Sequence, residues 1–204
     1  MKVLLINGSP RHEGNTSIAL SEIAKTLESN GVSTETISIG TKPVQGCIAC
    51  SKCKELGRCI FKDDLYNSIR EKLENIDGLI IGSPVFYASP NGSLCAVLDR
   101  IFYSSSQLLK YKLGASVAVC RRGGASATFD RLNKYFTILS MPIVSSQYWN
   151  SVHGRKPGEA LQDAEGLQTM RTLGKNMAWL LKNIKEAGIP YPEAETPVST
   201  NFIR

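Results

Sequence analysis

The chain has 204 residues, 42% of them hydrophobic and 21% charged, and a net charge of +6. This length buries one continuous core, and the composition excludes disordered and fibrous classes. The 24 lysines and arginines spread along the chain without the dense basic stripe that nucleic-acid binding requires, leaving a mild preference for anionic ligands. The opening MKVLLINGSP holds too short an apolar run for a secretory signal, and no later run approaches a membrane span. A cytoplasmic protein is expected, in which a tight cluster among the six cysteines points to metal or redox chemistry before disulfides.

KVLLIN (2–7) is a continuous apolar run, the pattern of a strand buried on both faces. Asn15 or Thr16 can cap the next helix, whose Leu20, Ile23 and Leu27 keep helical spacing up to Gly31. STETISI (33–39) alternates and predicts a strand with one face less covered. Asp63 or Asp64 caps a helix carrying Leu65, Ile69, Leu73 and Ile76. DGLIIGSP (77–84) predicts a third strand, Leu94 to Ile101 a helix, ASVAVC (115–120) a fourth strand, and Leu132 to Leu139 a helix. PIVSSQY (142–148) predicts a fifth strand, and Met170 to Ile184 a long final helix. Alternation of this kind predicts one α/β domain over 1–187 with a parallel sheet covered on both faces. Residues 188–204 carry Pro190, Pro192 and Pro197 and read as an extended tail, whose Phe202 and Ile203 suit either docking on a neighbouring subunit or fraying.

In such a sheet, ligands bind beyond the carboxyl ends of the strands. Three stretches lie there: NGSPRHEGNTS, SPVFYASPNGS and RRGGASAT. Each joins glycine and small polar residues to a helix start, so backbone N–H groups and the helix dipole can face an anion. The first lacks the lysine of a nucleotide-triphosphate loop and the spacing of the dinucleotide fingerprint. Its hydroxyls, amides and single cation, Arg11, suit a terminal phosphomonoester such as that of FMN. In the second, Pro84 and Pro90 stiffen a segment whose Phe86 and Tyr87 offer flat apolar surface, and its backbone amides can reach the edge of a flavin ring.

GSPR.EGNTS, GSPVFYASPNGSL…LDR and RRGGA closely resemble the flavodoxin-like NADPH-dependent FMN reductase family, and within it the iron–sulfur flavoproteins. The resemblance covers nearly the whole chain. It implies a flavodoxin-like three-layer sandwich with a five-stranded parallel sheet in order 2-1-3-4-5. It also implies that Ser9, Arg11, Asn15, Thr16 and Ser17 hold the FMN phosphate. Pro84, Val85, Phe86 and Tyr87 would border the ring, with Asn91, Gly92, Gly123 and Gly124 nearby. Cys95 stands where many relatives have lysine; packing is the expected role for Cys95 and for Cys120.

The stretch CIACSKCKELGRC (47–59) holds Cys47, Cys50, Cys53 and Cys59. Thiolates select zinc, copper(I) or iron–sulfur clusters, and three cysteines at two-residue gaps wrap one segment around a compact object. The resemblance implies a [4Fe–4S] cluster on all four; free redox-active thiols and zinc remain open. Lys52, Lys54, Arg58 and Lys62 are available to offset the negative charge of thiolates or a cluster.

The expected protein is an FMN-dependent oxidoreductase, working between NAD(P)H or a reduced carrier and an acceptor, with the cluster handling single electrons. A cluster-free NAD(P)H-dependent reductase of FMN or quinones is the alternative. A zinc-stabilised module binding a phosphorylated ligand or nucleic acid is the alternative from another class. A homodimer or homotetramer is implied by resemblance. Trp149, Asn150 and His153 follow the fifth strand and either line an acceptor pocket or, the preferred reading for His153 and His12, make local hydrogen bonds. Asp163 and Glu165 support the start of the final helix.

Overall fold

The computed structural model describes residues 1–193, 195, 196 and 198–200; Pro197, Phe202 and Ile203 of the expected tail lie outside them. Five strands form a parallel sheet: β1 (Lys2–Asn7), β2 (Ser33–Ser38), β3 (Gly78–Phe86), β5 (Leu113–Cys120) and β6 (Ser151–His153), in order β2-β1-β3-β5-β6. A short β4 (Ser89–Pro90) folds back antiparallel on the end of β3. The flavodoxin-like order expected from the resemblance is therefore present, with one extra strand.

The continuous apolar runs exist because each strand feeds two cores. Val3 and Leu5 face one side of β1 and Leu4 and Ile6 the other, all fully buried. On the first side lie α1 (Asn15–Ser29) and α7 (Ala164–Ala187), through Leu20, Ile23, Leu27, Met170, Leu173 and Met177. On the second lie α3 (Asp64–Leu73), α4 (Gly92–Ser104) and α6 (Ala125–Thr137), through Ile69, Leu73, Val97, Ile101, Leu132 and Phe136. Burial of each such side chain contributes about 1.5–3 kcal/mol, which makes the three layers one cooperative unit. Short helices α2 (Cys53–Leu56) and α5 (Ser106–Leu109) and a 3₁₀ turn at Glu159–Gln162 complete the chain.

The expected fifth strand is corrected. Within 142–148 only Ile143 bridges β5, at Gly114, and the ladder resumes at β6 beside Ala118–Cys120. Between them the Ser146 hydroxyl donates to Asn150 Oδ1 at 2.7 Å and accepts from the Tyr148 N–H at 3.3 Å. That turn lifts the chain off β5 and leaves Tyr148 and Trp149 exposed. Among the described residues, no helix is long and apolar enough to cross a membrane.

Candidate functional site

A cleft of about 290 Å³ opens at the carboxyl edge of the sheet. Its first wall is the β1–α1 loop: Ser9, Pro10, Arg11 and Gly14, with Asn15 and Thr16 from the first turn of α1. Gly14, and neither Asn15 nor Thr16, is the N-cap of α1; no side chain caps this helix and no acidic residue occupies its first turn. The N-terminal N–H groups of a 15-residue helix are thus left facing an open space. The Ser9 hydroxyl accepts from the Arg11 N–H at 3.1 Å, which curls the loop over that space.

The second wall is Pro84, Val85 and Phe86 at the end of β3. Beyond Phe86, a two-residue turn of Tyr87 and Ala88, with φ of 52° and 57°, reverses the chain into β4. Two successive left-handed residues are the mark of a type I′ hairpin, here made without glycine at a cost of about 1–2 kcal/mol per residue. Tyr87 is fully exposed at the tip. The fully buried Ser83 holds the base of the hairpin, accepting from the Asn91 N–H at 3.0 Å and donating to Pro84 O at 2.8 Å.

The third wall is Val119, Cys120 and Arg121, joined by Gly154 and Arg155. Sequence reasoning missed Gly154 and Arg155 because it ended the fifth strand at Tyr148. Cys120, expected only to pack, lies in the cleft wall, where burial pushes its thiol pKa up. Three arginines and no carboxylate line the cleft, so its field favours an anion.

Of the expected flavin residues, Ser9, Arg11, Asn15, Thr16, Pro84, Val85 and Phe86 come together here, while Ser17, Tyr87, Asn91, Gly92, Gly123 and Gly124 do not line the cleft. Asn91 caps α4, its carboxamide oxygen accepting from Ser93 N–H at 2.7 Å, and Gly92 opens that helix. Gly124, with φ of 89°, packs behind the hairpin: a Cβ there would stand 2.8 Å from Ala88 Cα and from Val85 Cγ1. The backbone N–H of His153 donates to Asp163 at 2.6 Å and its ring Nδ1 lies 3.4 Å from the same carboxylate, while Asp163 caps α7 through Gly166 N–H.

Away from the cleft, Cys47, Cys50, Cys53 and Cys59 line one second cavity with Arg100, Ile48, Ile60 and Phe61. Cys47 and Cys50 are exposed, Cys53 and Cys59 half-buried, and the cavity's volume is about 20 Å³. Ala49 and Ser51 adopt left-handed φ of 54° and 58°, which curls the chain on both sides of Cys50. Cys59 is fixed from two sides: its N–H donates to the buried Tyr66 hydroxyl at 2.9 Å, and its sulfur accepts from Arg100 Nε at 3.3 Å. Arg100, missed in the sequence, is the largest fully buried side chain among the described residues. Among the described residues, no three Cys, His, Asp or Glu side chains are close enough to share a single metal ion.

Comparison with known proteins bears on the family. Residues 1–156 match the family model of NADPH-dependent FMN reductase. An iron–sulfur flavoprotein of Methanocaldococcus jannaschii is 37% identical, over 91% of this chain and 100% of that one. An iron–sulfur flavoprotein of Methanosarcina thermophila is 28% identical, over 91% and 98%. In fold, the chain is similar to RosB with its bound intermediate (TM-score 0.73, 15% identity, covering 99% of this chain and 92% of RosB). It is likewise similar to a flavodoxin from the domain Archaea (TM-score 0.60, 19% identity, covering 89% and 99%). The loops, the topology and the family match agree: the chain belongs to the NADPH-dependent FMN reductase family and is a flavin-dependent oxidoreductase of flavodoxin-like fold.

Proposed function

We propose that FMN occupies the cleft and that the four cysteines hold a [4Fe–4S] cluster, so that electrons pass between NAD(P)H or a reduced carrier and an acceptor. The observation that carries the cluster is the convergence of all four cysteines on one cavity. Four soft donors on a short curled segment match the chemistry of such a cluster, and the names of the relatives point the same way. Bound flavin supplies two-electron chemistry and the cluster single-electron transfer.

In this reading Ser9, Thr16 and the open end of α1 donate to the FMN phosphate, and Arg11 and Arg155 neutralise it. Pro84, Val85 and Phe86 present an apolar wall to the ring. Asn15 acts through its grip on residues 156 and 160, and Asn91 and Gly124 brace the hairpin wall from behind through Ser83 and Ala88. On the other side, Ile48, Ile60 and Phe61 form an apolar collar around the thiols. Seating a cubane there requires the exposed Cys47–Cys50 side to move outward, because the enclosed space is only about 20 Å³.

A cluster-free NAD(P)H-dependent reductase of FMN or quinones would use the same cleft with free thiols. Family membership selects either flavin reading over the zinc-stabilised binding module. Anaerobic reconstitution followed by counting flavin, iron, sulfide and zinc decides between them. About four irons and four sulfides per flavin support the cluster. Flavin alone selects the cluster-free reductase.

A further inference from the structure

Arg100 sits within the apolar stripe of α4, between Val97 and Ile101, and is 1% exposed. A buried guanidinium costs several kcal/mol unless its charge and its donors are matched. Here they are. Nη1 donates to Gln45 O at 3.1 Å and Nη2 to Phe61 O at 3.0 Å. Nη2 is also paired with Asp63, and the rings of Tyr66 and Phe61 lie 4.8 and 5.6 Å from the guanidinium carbon. Gln45 and Phe61 flank the cysteine segment, so one side chain staples both of its ends to α4.

The staple alone does not account for the Nε–H, which points at Cys59 Sγ from 3.3 Å. A neutral thiol is a weak acceptor, whereas a thiolate on a metal cluster is an anionic one that a guanidinium serves well. Resting on the cluster reading above, we propose that Arg100 is its positioning residue: it closes the cysteine segment around the cluster and raises the cluster's reduction potential through the bond to Cys59. Reduction adds one negative charge to the cluster. A fixed cation and an N–H donor at one sulfur stabilise the reduced state more than the oxidised one, which moves the potential upward.

The test compares wild-type protein, Arg100→Gln and Arg100→Lys, each reconstituted anaerobically with iron and sulfide and with FMN bound. Cluster potential is read by redox titration under electron paramagnetic resonance, and cluster closure by the rate of iron release to a chelator. FMN content and thermal unfolding report the integrity of the rest of the fold. The glutamine variant should show a lower potential than wild type and about tenfold or faster iron release, with FMN retained. Arg100→Lys keeps the charge and loses the fork, so its potential should fall less while its iron release still quickens. If the glutamine variant does not fold, the lysine variant carries the test alone. Wild-type potential and release rate in every folded variant would overturn the role of Arg100 and leave the cluster standing. A wild-type protein that takes up flavin but no iron would overturn the cluster itself, and the role of Arg100 with it.

Discussion

Asn15 and Ala160, 145 residues apart, are joined by a 3.2 Å hydrogen bond from the Ala160 N–H to Asn15 Oδ1. The same carboxamide donates from Nδ2 to Lys156 O at 2.9 Å. Glu159 completes the turn, accepting from the Arg155 and Lys156 N–H groups at 2.7 and 2.9 Å. Arg155 therefore reaches the cleft because the start of α1 grips the segment that carries it. Asn15→Ala should free that segment and raise the FMN dissociation constant about tenfold, the size of one lost charge-assisted contact. Quenching of flavin fluorescence on titration measures this; an unchanged constant would dissociate Asn15 from the cleft.

Gly124 fixes the distance between the α6 start and the Tyr87–Ala88 hairpin. Its φ of 89° disfavours any side chain, and a Cβ would collide with Ala88 Cα and Val85 Cγ1. Gly124→Val should cost about 2–3 kcal/mol in urea unfolding at unchanged slope and weaken FMN binding by displacing Val85. Gly124→Ala should show the same effects at smaller size.

The two sites are carried by different segments, so they should be separable. Cys53→Ala should abolish iron binding and leave FMN bound at wild-type stoichiometry. Metal analysis and flavin absorbance on one sample check both. Loss of flavin with retention of iron would contradict the assignment of the loops.

Glu35 on β2 ties Lys2 of β1 and Lys72 of α3 at 2.6 and 2.8 Å, and these two ammonium groups hold its carboxyl below the ordinary glutamate range. A carboxyl lowered in the folded state stabilises above the unfolded value of about 4.3 and loses that effect as the pH falls through the lowered one. Half-exposed partners limit the gain to less than about 1 kcal/mol. The stability difference between wild type and Glu35→Gln should therefore be constant near neutrality and vanish in acid, as measured by urea unfolding across pH.

How much of this was legible in sequence depended on how local each cause is. β1, β3 and β5 show as apolar runs because both of their faces are buried, and the helices show through one-sided stripes. The cysteine segment shows through spacing alone. The PIVSSQY run misled because its residues look like a strand, whereas the Ser146 turn that lifts it off the sheet depends on Asn150. The hairpin tip carries no glycine, so Tyr87 and Ala88 gave no sign of positive φ. Asn15 resembled a helix cap, but its amide is used on a segment at the far end of the domain. Arg100 was a lone cation in an apolar stripe, and only the folded chain shows what surrounds it.

The central claim is that one chain carries two redox centres, a flavin at the sheet edge and a cluster in the cysteine segment. Stepwise anaerobic reduction of the reconstituted protein, followed by visible absorption and electron paramagnetic resonance, tests it most directly. About three electron equivalents per chain, two bleaching the flavin and one producing a paramagnetic cluster signal, is the predicted result. Two equivalents with no such signal, or none absorbed by a flavin, would contradict it.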